Sequence, residues 1–188
     1  MKKKRIAIFA SGAGSNANAI AEYFKTNGNV EISLIATNKA DAGVLNIAKT
    51  HNIPTLVFSR EEFQNATFLQ HLENIDLVVL AGFLWLIPEY LVQAFPNKIM
   101  NIHPALLPKY GGKGMYGANV HQAVYNNKEK ETGITIHWVN EHYDKGAIIH
   151  QEKVSLSEND TPETIQKKVH ELEYQFFPKT IDKILHSK

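Results

Sequence analysis

The chain has 188 residues, 44% of them apolar and 21% charged, with a formal net charge of +1. That length holds one domain with a sizeable core, and the near-neutral balance gives no electrostatic case for nucleic acid or an anionic membrane. There are no cysteines, which excludes disulfides, thiolate metal sites and a cysteine nucleophile, and no apolar run of about eighteen residues exists to span a bilayer.

The opening MKKKRIAIFASG has the basic lead of a signal peptide, but its apolar run Ile6–Ala10 is too short for a secretory core and meets Gly12 at once. A run like this suits a strand buried on both faces. Residues 15–26 follow helical spacing, with Ala19, Ile20, Tyr23 and Phe24 on one side and Ser15 placed to cap. Val30–Thr37 reads as a second strand, residues 42–51 as a helix, Thr55–Phe58 as a short strand and residues 60–73 as another helix. Asp76–Ala81 is a strong strand ended by Gly82; a helix from Pro88 to Phe95 leads into a strand over Lys98–Ile102. This alternation argues for a mostly parallel sheet with helices on both faces. After Gly117 the pattern changes: a helix over 118–127, then strands Gly133–Val139 and Ala147–Leu156, whose connecting loop is long enough to carry function. The second half of the sheet is therefore expected to be mixed. The last helix opens with Thr161 as cap, Pro162 in the first turn and Glu163 at the positive end. Ile165, Val169, Leu172 and Phe176 form its apolar face, and Pro178 is expected to kink or break it near Phe177.

Two stretches carry chemistry. SGAGSN, residues 11–16, joins the first strand to the first helix. Gly12 and Gly14 let the backbone approach a ligand closely, and the helix-start N–H groups, with Ser15 and Asn16, would face an anion. The third glycine of a dinucleotide fingerprint and a P-loop lysine are both missing, which favours a single phosphate; the alternative is a plain strand-to-helix turn. The second stretch is NIHPALLPKYGG, residues 101–112. Asn101 and His103 are two apart and share one side of an extended strand. An amide that donates without titrating and an imidazole that exchanges protons near neutrality suit a carbonyl whose oxygen turns negative under attack. Asp76, Asp144, Glu141 and Asp160 are the candidate carboxylate partners. Asp144, in the loop between the two late strands, would hang over the same edge and raise the imidazole pKa; the alternative is a satisfied polar turn. His137 reads as a half-buried strand residue or a partner behind the reacting groups, and His121 as a helix-face residue of unassigned role. No close three-ligand cluster suggests a metal.

SGAGSN, TNKADA (37–42), SRE (59–61), LAGF (80–83), NIHPALLPKYGG and YDKGAII (143–149) occur in that order, and together they resemble the phosphoribosylglycinamide formyltransferase family of folate-dependent formyltransferases. The resemblance spans nearly the whole chain. It implies an α/β, Rossmann-like three-layer sandwich forming a single formyltransferase domain over 1–188. It also implies transfer of a formyl group from 10-formyltetrahydrofolate to the amine of glycinamide ribonucleotide, in purine synthesis, without a metal. By matched position Asn101 donates to the oxyanion, a cationic His103 stabilises it and moves protons, and Asp144 orients His103. Gly12, Gly14, Ser15 and Asn16 would hold the phosphate with Arg60 as charged partner, and Glu173 the ribose. Leu84, Trp85, Leu86 and Ile87 would line the pterin site, read at its edge by Asn101, Asn140, Glu141 and Asp144. Small molecules are the implied partners, the chain a cytoplasmic monomer or homodimer.

Trp85 departs from the arginine or other polar residue common in relatives, and GGKGMYG (111–117) from the commoner loop. Among related activities, a tRNA formyltransferase needs a further domain and a basic surface, and a formyltetrahydrofolate hydrolase an N-terminal regulatory domain. A sugar-nucleotide formyltransferase needs a different amine pocket. A non-catalytic binding module has no use for all of Asn101, His103 and Asp144.

Overall fold

The computed structural model describes residues 3–26 and 28–187, so the first two residues of the basic lead lie outside it. Among the described residues the strands are β1 Lys4–Phe9, β2 Val30–Thr37, β3 Thr55–Val57, β4 Leu77–Leu80, β5 Ile99–His103, β6 Glu131–Trp138 and β7 Ile148–Ser155. They form one sheet in the order β3-β2-β1-β4-β5-β6-β7. The pairs from β3 through β5 are parallel; β6 and β7 are antiparallel. The mixed second half is as the sequence leads one to expect, and its cause is visible in the burial. All four residues of β4 are buried, as a parallel strand covered on both faces requires, whereas edge strand β7 exposes Ile148 and then every second residue from Gln151 to Ser155.

The helices are α1 Ser15–Phe24, α2 Val44–Thr50, α3 Arg60–Gln64, α4 Glu89–Ala94, α5 Ala118–Asn126 and α6 Pro162–His186, with a 3₁₀ helix at Ala66–Leu72. Strand alternation splits the core in two. Ile6, Ile8, Leu77, Val79, Met100 and Ile102 face α1, α2, α5 and α6. Ala7, Phe9, Val78, Leu80 and Ile99 face α3, the 3₁₀ helix and α4.

Three expectations are corrected. The helix expected over 60–73 is two pieces, because Asn65 is extended and its side chain accepts from the Thr67 amide at 3.0 Å, capping the second piece instead of continuing the first. Ser15 does not cap α1: left-handed Gly14 (φ 83°) takes that place, and Ser15 opens the helix with no capping bond. Pro178 does not break α6, which runs on to His186. Phe177, Thr180 and Ile181 are buried around the proline, so packing holds the helix where a backbone hydrogen bond is missing.

Candidate active site

The strand order reverses between β1 and β4, and in an open α/β sheet ligands sit outside the carboxyl ends of the strands at such a point. A cleft of about 700 Å³ lies there, running from the loop after β1, past the ends of β4 and β5, to the β6–β7 loop.

At one end are Gly12, Gly14, Ser15 and Asn16, all lining the cleft. Only glycine fits at 14: its φ is positive, and an added Cβ would stand 2.7 Å from the Val44 Cα. The Asn16 amide donates to Glu173 Oε2 at 2.9 Å, which brings α6 to the start of α1. Glu173 is 5% exposed, and burial, only partly offset by that hydrogen bond, pushes its pKa up to about 7. His170 Nε2 lies 4.0 Å from it. Arg60 is not brought here. Its guanidinium sits 5.0 Å over the Trp85 ring, because α3 packs on the other face of the sheet from α1. Lys39, next to the β2 end, lines the cleft instead. It is held close to the loop because Asn38 accepts from Ser11 Oγ at 2.7 Å.

At the other end β5 ends in His103, 3% exposed. Its Nε2 donates to the Tyr110 carbonyl at 2.7 Å, and its Nδ1 faces Asp144 Oδ2 at 3.6 Å. Burial carries the His103 pKa below its ordinary value, against the opposing pull of Asp144 and the Tyr110 carbonyl. Asp144 thus raises the imidazole, as the sequence suggests, but burial outweighs it and the net direction is down, away from the cationic ring that the resemblance implies. For Asp144 burial again opposes charge, yet the imidazoles of His137 and His103 beside it and the Gly112 amide at 2.9 Å together hold its pKa low. Tyr110 and Asp144 both stand in the left-handed region, at φ 58° and 55°. Such backbone is held only where its surroundings fix it, and here both strained residues aim a group at His103.

Asn101 pairs across the sheet with His137. The His137 Nδ1 donates to the Trp138 carbonyl at 2.8 Å, which leaves Nε2 to accept from the Asn101 amide at 3.1 Å. One Asn101 N–H is spent on that bond, and the other is available to an oxyanion. His137 also lies 3.5 Å from Asp144 Oδ1, so it stands between Asn101 and Asp144. Thr135 and Gln151 pin the following turn: Thr135 Oγ1 donates to the Ala105 carbonyl and accepts from the Leu107 amide, and Gln151 donates to the Leu107 carbonyl. The sequence marks His137 only as one of two readings and Thr135 and Gln151 not at all. The signal for them is the β5–β6 register, which sets His137 opposite Asn101 and Thr135 opposite His103.

Between the two ends Leu84, Trp85, Leu86 and Ile87 form an apolar wall, with Leu84 and Leu86 each 40% exposed and Ile87 buried. The Leu84 amide donates to Ser11 Oγ at 3.3 Å, tying this wall to the loop after β1. Asn140 lines the cleft and Glu141 does not; Glu141 lies in solvent. No group of three or more His, Asp or Glu side chains among the described residues is arranged to hold a metal ion.

Residues 4–181 match the model of the formyl transferase family. A phosphoribosylglycinamide formyltransferase of Bacillus subtilis is 37% identical over 97% of this chain and 95% of its own length. A chloroplastic one from Arabidopsis thaliana is 41% identical over the full chain, which spans 67% of that relative. The crystal structure of phosphoribosylglycinamide formyltransferase from Bacillus halodurans superposes with a TM-score of 0.88 at 38% identity, covering 98% of this chain and 96% of that one. With its matching sequence, its sheet and the cleft at the strand ends, this chain belongs to the formyl transferase family.

Proposed function

We propose that the chain transfers a formyl group from 10-formyltetrahydrofolate to the amine of glycinamide ribonucleotide, releasing formylglycinamide ribonucleotide and tetrahydrofolate, as a step of purine synthesis. The observation that carries this reading is one cleft with an anion cradle at one end and Asn101, His103 and Asp144 at the other. The phosphate lies on Gly12 to Asn16 with Lys39 as its cation, and the ribose on Glu173. The reduced folate lies along Leu84 to Ile87 with its pterin edge toward Asn140 and Asp144, and Arg60 on Trp85 stands beside that wall.

The substrate amine attacks the formyl carbon, and the carbonyl oxygen becomes an oxyanion. The second Asn101 N–H donates to it without titrating. His103 then takes the proton that the attacking amine sheds; the Asp144 carboxylate at its Nδ1 stabilises the resulting imidazolium. Collapse of the intermediate breaks the bond from carbon to the folate nitrogen, and the His103 imidazolium gives its proton to that nitrogen as it leaves. The catalytic unit occupies the chain as one domain acting on small molecules, in the cytoplasm, as a monomer or homodimer.

The test is a spectrophotometric assay of folate deformylation with and without glycinamide ribonucleotide. Release that needs the ribonucleotide is expected. Release without it would make the chain a hydrolase, and folate binding without release would make it a binding protein.

A further inference from the structure

Among the described residues, His121 on α5 is the one buried polar side chain of the cleft wall that nothing so far employs. It is 2% exposed and lines the cleft, and its Nδ1 is buried without a hydrogen-bond partner. An unpaired buried nitrogen is a standing cost that a partner removes. The ring feels both ends of the site: burial, then the charges of His170 and of His103, push its pKa down to about 4. It therefore stands neutral between the ribose end, marked by His170 and Glu173, and the reactive end, marked by His103. The segment before α5 carries positive-φ glycines at 112, 114 and 117, each with open space around it, so α5 is entered through backbone that can adjust as the cleft fills.

In glycinamide ribonucleotide the part between ribose and amine is a secondary amide. It offers one N–H and one carbonyl, and a neutral imidazole nitrogen complements either one, according to its tautomer. We infer that His121 is a specificity-determining residue that hydrogen-bonds the glycinamide amide through Nδ1, fixing the amine opposite Asn101 and His103. This rests on the function proposed above, and it separates glycinamide ribonucleotide from sugar phosphates that share its phosphate and ribose.

Titration calorimetry without folate tests it, using glycinamide ribonucleotide and ribose 5-phosphate on the wild type, His121→Leu and His121→Asn. Asn carries its amide near the place of Nδ1, whereas Leu removes the polar atom. His121→Leu should weaken glycinamide ribonucleotide about tenfold and leave ribose 5-phosphate unchanged, and His121→Asn should recover most of the loss. Equal weakening of both ligands, or of neither, would overturn the inference while the proposed function stands. A wild type that binds no glycinamide ribonucleotide would overturn the function and this inference together. Independently of either variant, the imidazole nitrogen resonance of His121 in the ¹⁵N-labelled wild type should move on adding glycinamide ribonucleotide but not ribose 5-phosphate; no movement with either ligand would count against the contact.

Discussion

Asp144 divides its carboxylate between two imidazoles, 3.6 Å from His103 Nδ1 and 3.5 Å from His137 Nε2, while Oδ2 also accepts from Gly112. Asparagine in its place keeps an oxygen for Gly112 and tolerates the left-handed backbone, but removes the charge that counters burial at His103. Asp144→Asn should therefore melt close to the wild type and lose about a hundredfold or more in kcat; wild-type turnover would remove Asp144 from the mechanism. The cleft's other end offers a sharper comparison, because the sequence and the structure point to different cations. SRE follows a strand as a phosphate-binding segment would, but which side of the sheet receives it depends on how the chain crosses over. Arg60 ends on Trp85 and Lys39 by the loop. Lys39→Ala should raise KM for the ribonucleotide about five- to tenfold with kcat little changed, and Arg60→Ala should leave that KM alone. The reverse result in steady-state kinetics would restore Arg60 to the phosphate.

The last helix shows what local rules miss. Its start is readable: Thr161 accepts from the Thr164 amide, and Pro162 opens the first turn. Its end is not, because Pro178 forbids one backbone bond while packing that no local window contains keeps the helix going. Phe177 is fully buried against the sheet, and Ile181 follows one turn later. Phe177→Ala should cost about 3 to 5 kcal/mol and should also lower helical ellipticity, since the turns after Pro178 depend on that anchor; a purely local cavity effect would leave ellipticity intact in the folded state. The split at Asn65 is the converse case. There a single side chain bonds its own neighbouring backbone, against an apolar spacing that reads as one helix.

Across the whole molecule the parts of the site that a single motif carries, Asn101 with His103 and Gly12 to Asn16, are legible in the sequence. Those that arise from pairing distant segments, His137, Thr135 and Lys39, wait on the register of β5 with β6 and on the crossover that folds residues 37–42 beside the first loop. Glu173 is such a meeting point, since Asn16 and Glu173 lie 157 positions apart and join α1 to α6. Its pKa rises from an ordinary 4.5 to about 7, so between those values the folded chain binds more protons there than the unfolded chain. The stability Glu173 contributes is complete below pH 4.5 and is lost as pH rises toward 7, amounting to on the order of 3 kcal/mol. His103, His121 and His170 act in the opposite sense, because their pKa values are lowered and protonation below 6.5 favours unfolding. A single stability curve mixes the two. The difference between wild type and Glu173→Gln isolates the first, since the three rings remain in both and glutamine mimics the neutral acid that accepts from Asn16. Urea unfolding of the ligand-free proteins should give nearly equal stabilities at pH 5 and a glutamine variant more stable by about 3 kcal/mol at pH 8. Curves that stay parallel across that range would mean that Glu173 is ionised in the fold. The junction of α1 and α6 would then hold a buried negative charge beside the place where a phosphate is to bind.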